Sequence, residues 1–443
     1  MKIHLAMRGN KLASARKQKW KPVLVAALAL WMIPFSLLGS SAKVQAAEAV
    51  DLKLDVRSAV LMDASTGQIL YDFNGDEALP PASMSKMMTE YIVLEKIKSG
   101  ELKWDEQVQV SQYSADVIGS GDLLAFGEQL SVKDMFSAMS IYSANDATVA
   151  LAEKIGHTEE NFAKMMNEEA KKMGLSKDAY FINATGLTRG DLGKYAPKEL
   201  QGETKMSAKD SAKLAYTILK EHKEVLDFTK IPAQKLRASD KAPMINWNWM
   251  LEGNKDVLNF KKYAYQGLDG LKTGHTDEAG YCFTGTAERN GMRLISVVMG
   301  TKSEPKRFEE TRKLLDYGFN GFEKKVLVKE GGEVAALPTV KLTKGVSKTV
   351  KAVTGSELSL VAKKGAKDEE FVQEAQAIEP AKLVAPLKKG DKVGTATVKY
   401  NDQAYTVDLV AAEDVEKGSF LRLFFRGIGE FFANIGTSIK NLF

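Results

Sequence analysis

Ser83 and Lys86 stand three residues apart in Pro81-Ala82-Ser83-Met84-Ser85-Lys86-Met87-Met88, a spacing that places a hydroxyl and an amine one turn apart on one helix face. A serine hydroxyl is a weak nucleophile until a base takes its proton, and a lysine can do so where burial and neighbouring positive charge bring its pKa toward neutrality. A helix N-terminus adds partial positive charge and free N–H groups where an oxyanion forms. The pair alone is unspecific, because Ser14/Lys17, Ser40/Lys43 and Ser303/Lys306 repeat it and a solvated surface pair explains any one occurrence. Two further clusters add chemistry. Ser143-Ala144-Asn145 interrupts a helical pattern and puts a hydroxyl and a carboxamide in a turn that can face a cleft. Lys272-Thr273-Gly274 falls in a run of strand character, where Gly274 lacks the side chain that would keep a substrate backbone away. Lys98 to Gly100, by contrast, reads as a helix closed by a C-cap glycine.

The elements that must hold these residues follow from periodicity. Ser58 to Asp63 and Gln68 to Asp72 alternate like two strands joined across Ser65-Thr66-Gly67. Met84, Met87, Met88 and Tyr91 recur at helical spacing, which predicts a helix beginning near Ser83 and ending at Gly100. The stretch from about 104 to 225 reads as mostly helical, with Ser131 and Asp134 as a capping-box-like start. Strands are expected over 268–276, 279–288 and 292–300, the last two joined by Asn290-Gly291, and a helix over 306–321. Strands at both ends with helices between them predict one α/β (α+β) domain, in which an antiparallel sheet flanked by helices unites N- and C-terminal strands. From Lys325 to about Ala412, short Val-rich runs separated by Gly-Lys turns predict a small all-β domain.

The two ends have a different character. Among 443 residues the formal charge is +5, yet residues 1–46 hold eight basic residues and no acid, so the remainder is slightly acidic. With the apolar run Val23 to Leu38 and Val44-Gln45-Ala46 before Ala47, that segment reads as a secretory signal cleaved after Ala46; an uncleaved anchor is the alternative. From Gly418 to Phe443 the chain is amphipathic, with Phe420, Leu421, Leu423, Phe424, Phe425, Ile428, Phe431, Phe432, Ile435, Ile439 and Leu442 on an apolar face and Arg422, Arg426, Glu430, Asn434 and Lys440 opposite. Arg422 and Arg426 argue against a spanning helix, and with Lys417 they favour one lying on anionic lipid rather than docked on its own protein. The domains are therefore read as 1–46 signal, 47–322 catalytic, 323–412 β-rich and 413–443 membrane-anchoring helix. A single cysteine, Cys282, excludes an internal disulfide and any cysteine-based metal site; it reads as a small core residue. Three histidines beyond the signal leave little for a metal site, and the lack of a basic cluster argues against nucleic acid.

S-x-x-K, S-x-N and K-T-G in this order resemble the signature of active-site serine penicillin-binding proteins and β-lactamases. The longer stretches Pro81 to Met88, Tyr142-Ser143-Ala144-Asn145-Asp146-Ala147, Phe181-Ile182-Asn183-Ala184-Thr185-Gly186-Leu187 and Gly270-Leu271-Lys272-Thr273-Gly274-His275-Thr276 resemble the low-molecular-mass penicillin-binding proteins that are serine-type D-alanyl-D-alanine carboxypeptidases. The resemblance implies a penicillin-binding-protein/β-lactamase-like fold, followed by the β domain and the amphipathic helix. It implies Ser83 as acyl-accepting nucleophile, Lys86 as general base, Ser143 and Lys272 as a proton relay to the leaving D-alanine, and Asn145 on the substrate's peptide amide. The backbone N–H groups of Ser83 and His275 would form the oxyanion hole. Lys272, Thr273 and Thr276 would sit near the terminal carboxylate, with Gly274 leaving room for the substrate backbone and Arg307, next to the competing Lys306, helping to hold the carboxylate. Peptidoglycan stem peptides and β-lactams are the implied ligands, without cofactor or metal, at the extracytoplasmic face of the bacterial cytoplasmic membrane.

Other readings remain open on sequence alone. A triad using His157, His222 or His275 is disfavoured because Lys86 already occupies the base position. A class A β-lactamase needs a further glutamate to activate the deacylating water, and no convincing counterpart precedes Lys272. Endopeptidase action on cross-links would need room beyond the terminal D-alanine, and the intact Ser83, Lys86, Ser143, Asn145 and Lys272 argue against a catalytically silent sensing module.

Overall fold

The computed structural model describes residues 50–440 apart from positions 122 and 402, and the side chains of 430 and 433–440 lie outside that description. The proposed signal, residues 1–46, lies outside the described residues, as do Leu442 and the side chains of Glu430, Asn434, Ile435, Ile439 and Lys440.

Ser58–Asp63 (β1) is buried along its whole length and pairs antiparallel with Ile69–Phe73 (β2). A tight 3-10 turn, Ala82–Ser85, leads into Lys86–Ser99 (α1), and the helical region continues through Val132–Tyr142 (α2), Asn145–Gly156 (α3), Glu159–Met173 (α4) and Ala208–Glu221 (α5). Leu268–Thr276 (β3), Gly280–Arg289 (β4) and Met292–Thr301 (β5) then form a meander, and Glu304–Gly321 (α6) closes the lobe. The sheet order is β2-β1-β5-β4-β3 with every neighbouring pair antiparallel, so the N-terminal hairpin is completed by strands more than 200 residues away. β1 has no exposed face because side chains alternate across a strand and both sides of this sheet are covered. Val60 and Met62 join Cys282, Ile295 and Val297 in the core shared with α1, α2 and α5, while Ala59 and Leu61 join Phe283, Leu294 and Val298 under Phe308, Leu314 and Leu315 of α6.

Local chemistry fixes the helix ends. The hydroxyls of Ser131, Thr158 and Ser207 accept from the backbone N–H three residues on, and Gly100, at φ 77°, ends α1 in the left-handed conformation glycine adopts without strain. One expectation needs correction: α1 begins at Lys86 rather than near Ser83. The chain enters past Pro80-Pro81 with Ala82 at φ 48°, a geometry no α-helix accepts, so Ser83 sits in the preceding 3-10 turn.

Phe322–Val328 (β6) follows α6 without a linker. Thr339–Lys341 (β7), Thr349–Thr354 (β8), Leu358–Lys363 (β9), Val372–Ala377 (β10), Lys392–Tyr400 (β11) and Gln403–Ala411 (β12) complete the β lobe as a β6-β9 pair and a five-stranded sheet of order β7-β8-β12-β11-β10. It has its own apolar core, including Val350, Leu360, Val398 and Leu409, but Val361 joins Phe319 and Phe322 in the core of the first lobe.

Phe420–Lys440 (α7) follows, and no described helix is long and apolar enough to cross a membrane. Phe420, Leu421, Phe424, Phe425, Phe431 and Phe432 are exposed. Arg426 departs from the expectation that it offers its charge to lipid: its guanidinium donates to the carbonyls of Gly345 (2.9 Å) and Val346 (2.9 Å), because a planar fork of N–H groups matches two adjacent carbonyls.

Candidate active site

The sheet and the helical region meet where β3 passes the 3-10 turn. Gly274 permits that approach: a Cβ there would lie 2.5 Å from the carbonyl oxygen of Pro81, so the missing side chain makes room for the nucleophile's own turn. Gly186 does the same from the other side, since a Cβ would come within 2.0 Å of the Ala82 carbonyl oxygen. The turn bearing Ser83 is thus wedged between two glycines that nothing larger can replace without moving it.

Lys86, wholly buried, lies at the centre. Its Nζ is 3.0 Å from Ser83 Oγ, 2.7 Å from Asn145 Oδ1 and 2.8 Å from the Thr185 carbonyl. Asn145 Nδ2 donates to the Ile118 carbonyl at 2.7 Å, which turns Oδ1 toward the lysine. Two of the three neighbours can therefore only accept. A neutral amine has two N–H groups and one lone pair, so its donors go to Asn145 and Thr185 and its lone pair faces the Ser83 hydroxyl, in position to receive that proton. Burial, and then the charge of Lys272, hold the Lys86 pKa well below the ordinary lysine value, which makes the neutral form accessible.

Lys272, on β3 and also buried, donates to Ser143 Oγ at 2.8 Å and to the Thr273 carbonyl at 3.2 Å. Burial brings its pKa down to about 7, with Glu90 opposing the fall and Arg307 adding to it. Ser143 ends α2 at φ 61°, a left-handed conformation uncommon outside glycine, which turns its hydroxyl out of the helix toward Lys272. Ser83, Lys86 and Asn145 thus form one hydrogen-bonded group and Ser143 and Lys272 a second, the two joined through the Ser143-Ala144-Asn145 turn.

The remaining residues lie around it. Thr273 is buried beside Lys272, and the Thr276 hydroxyl accepts from Ala279 N at 3.1 Å in the β3–β4 turn. The His275 ring is exposed and stacks on Tyr281 with centroids 4.0 Å apart. Arg307, on α6, is buried, donates to the Gly274 carbonyl at 3.3 Å and pairs with Glu304 at 2.6 Å. Lys306 instead pairs with Glu309 at 2.9 Å on the solvent side. His222 is buried against Glu95 at 2.6 Å, and with Glu221 they place three possible ligand atoms within 4.8 Å of one another. His157 caps the end of α3.

Sequence reasoning missed several partners. The Thr185 carbonyl reaches Lys86 because Asn183 folds its loop, Oδ1 accepting from Thr185 N at 3.0 Å and Gly186 N at 2.6 Å. The side chains of Phe181 to Leu187 mark the stretch in the sequence, but a carbonyl carries no residue-type signal. Residues 118–120 carry no motif, yet the Ser120 hydroxyl donates to the Tyr142 carbonyl at 2.6 Å and Asn145 N donates to the Ser120 carbonyl at 2.6 Å, fixing the Ser143 turn from outside. Glu159 accepts from Ala184 N at 3.0 Å and from the Tyr113 hydroxyl, and burial pushes its pKa up to about 7.

Residues 43–303 match the D-alanyl-D-alanine carboxypeptidase (Peptidase S11) family and residues 322–417 match the penicillin-binding protein 5 C-terminal domain. The chain is 35% identical over 381 residues to the D-alanyl-D-alanine carboxypeptidase DacF of Bacillus subtilis, covering 86% of this chain and 91% of that one. It is 31% identical to DacC of Escherichia coli, covering 83% and 86%. The crystal structure of a peptidoglycan synthesis regulatory factor, PBP3, from Streptococcus pneumoniae superposes with a TM-score of 0.73 at 28% identity, over 82% of this chain and all (100%) of that one. Penicillin-binding protein D2 of Listeria monocytogenes in its cefotaxime-bound form is similar at 36% identity and a TM-score of 0.51, covering 61% and 99%. The chain belongs to the D-alanyl-D-alanine carboxypeptidase family, as a low-molecular-mass penicillin-binding protein and serine-type hydrolase.

Proposed function

We propose that this enzyme hydrolyses the terminal D-Ala-D-Ala bond of peptidoglycan stem peptides through an acyl-enzyme on Ser83, trimming the peptides and limiting cross-linking. The observation that carries this reading is the arrangement around Lys86 Nζ, with two obligate acceptors and one hydroxyl. As the Ser83 proton passes to Lys86, Oγ attacks the penultimate carbonyl carbon. The N–H groups of Ser83 and His275 receive the developing oxyanion, each worth ~3 to 4 kcal/mol. Collapse breaks the peptide bond while Ser143, bonded to Lys272, protonates the departing D-alanine nitrogen. The proton held by Lys86 makes good the one Ser143 gave up, and the neutral Lys86 then takes a proton from the water that cleaves the Ser83 ester and returns it to Ser83 Oγ.

β3 is the outermost strand of its sheet, leaving an edge alongside which a peptide backbone can lie. Lys272, Thr273 and Thr276 supply cation and hydroxyls for the terminal carboxylate, with Arg307 acting from beneath through the Gly274 carbonyl. Positive charge around a free terminal carboxylate selects a chain end over an internal bond. The same acylation by a β-lactam leaves Ser83 blocked.

The protein acts, on this proposal, at the extracytoplasmic membrane surface after export, with the exposed phenylalanines of α7 entering the lipid interface. Residues 47–417 should release D-alanine from diacetyl-Lys-D-Ala-D-Ala. No release, or equal release by Ser83→Ala, would overturn the proposal. Flotation with anionic liposomes should carry the full chain and leave a protein ending at Lys417 behind; equal behaviour would remove the membrane role of α7.

A further inference from the structure

Glu90 lies on α1 one turn beyond Lys86 and is wholly buried. Its Oε1 accepts from the Ser140 hydroxyl at 2.7 Å, and Ser140 stands on α2 three residues before Ser143. The carboxylate therefore joins the helix that carries the base to the helix that carries the relay hydroxyl, below the cluster rather than in it. Its other oxygen, Oε2, is buried without a hydrogen-bond partner among the described residues. Packing does not account for such a group, because an apolar side chain would fill the space without the cost of an unsatisfied buried oxygen.

The charges nearby suggest what offsets that cost. Glu90 faces Lys86 from its own helix and Lys272 from β3, while α2 presents the neutral Ser140. The lysines are in turn faced by each other, by Glu159 from α4, by Asp146 from α3 and by Arg307 from α6. The proposed reaction asks opposite things of the two lysines: Lys86 must be neutral to take the Ser83 proton, and Lys272 must be protonated to hold a carboxylate and supply Ser143. Two like charges in one buried site push both pKa values down. A carboxylate close to both opposes the fall and lets the second lysine keep its proton after the first has lost one.

We infer that Glu90 is a positioning residue for this reaction, a buried counter-charge that keeps Lys272 protonated while Lys86 serves as base. The inference rests on the carboxypeptidase reading above. Burial pushes the Glu90 pKa up and that of Lys272 down, and the charge of each opposes the shift of the other.

The experiment is the pH profile of two reactions of the full chain: release of D-alanine from diacetyl-Lys-D-Ala-D-Ala, and acylation by a fluorescent penicillin. Glu90→Gln keeps an acceptor for Ser140 and removes only the charge. Without that charge both lysines lose protons more easily, so the acidic limb, set by Lys86, and the alkaline limb, set by Lys272, should both move to lower pH by about one unit. On the alkaline limb this is about a tenfold loss of kcat/KM, with KM nearly unchanged because Glu90 does not touch substrate. Glu90→Asp, which keeps the charge, should leave both limbs in place even if kcat falls. A residue that only packs would lower kcat without moving either limb, and coincident limbs in wild type and E90Q overturn the inference. If E90Q does not fold, Glu90→Asp and Glu90→Asn form a matched shorter pair, and coincident limbs in that pair overturn it equally. Acylation of wild type without release of D-alanine would defeat the carboxypeptidase reading instead, and the limbs of acylation would still decide the role of Glu90.

Discussion

The two lobes seal their interiors by opposite means. The first buries Lys86, Glu90, Asp146, Glu159, Lys272, Arg307 and Glu310 among its apolar residues. The second, from Phe322 onward, buries no charged side chain among the described residues, and Thr354 is its one buried polar residue among them. A charge removed from water destabilises a fold unless partners compensate, and a protein retains it where chemistry needs a shifted pKa. The contrast marks the first lobe as the place of reaction and leaves the second a role in support or contact.

The largest expected effect breaks the contrast at its centre. Lys86→Met should lower acylation of Ser83 by about a thousandfold, the scale of a lost general base, while the melting temperature does not fall. Stopped-flow acylation and calorimetry measure the two, and a substantial rate in the variant would remove Lys86 from the base role.

The matching test in the other lobe is Leu360→Ala, which empties part of an apolar core. It should cost about 2 to 5 kcal/mol of stability in urea unfolding and leave kcat on a soluble substrate unchanged well below the melting temperature. A fall in kcat there would couple the β lobe to catalysis.

A smaller effect sharpens the electrostatic side. Glu159 holds its proton to about pH 7 when folded but only to about 4.3 when unfolded. The stability it contributes is complete below pH 4.3 and is lost as pH rises through 7, because only the unfolded chain then releases the proton freely. Glu159→Gln keeps the contacts without the titration, so its melting temperature relative to wild type should climb between about pH 4 and 7. A flat difference would refute the buried-charge account. The least effect belongs to a surface pair of the β lobe. Glu374→Gln, opposite Lys399, should change stability by less than about 1 kcal/mol.

How much of this could be read in advance depended on whether the information was local. Ser83, Lys86, Ser143, Asn145 and Lys272 stand in short motifs, and Asn290-Gly291 marks the hairpin between two strand-like runs, so the cluster and the α/β sheet were legible. Thr185 and Ile118 act through carbonyls that every residue possesses. Glu90 looks like any helical glutamate until α2 is packed against it. β10, Val-Gln-Glu-Ala-Gln-Ala, is an edge strand with little apolar alternation, so its pattern carried no strand signal. Arg426 had the composition of a lipid-facing cation, and only the position of the Gly345–Val346 turn shows otherwise.

The join between the lobes has a thermal consequence. α6 passes into β6 with no intervening loop, Lys364 N donates to the Gly321 carbonyl at 2.9 Å, and Val361 is buried with Phe319 and Phe322. Neither lobe can come apart without exposing apolar surface of the other, so heating should produce one cooperative endotherm in which the β lobe and the catalytic lobe melt together.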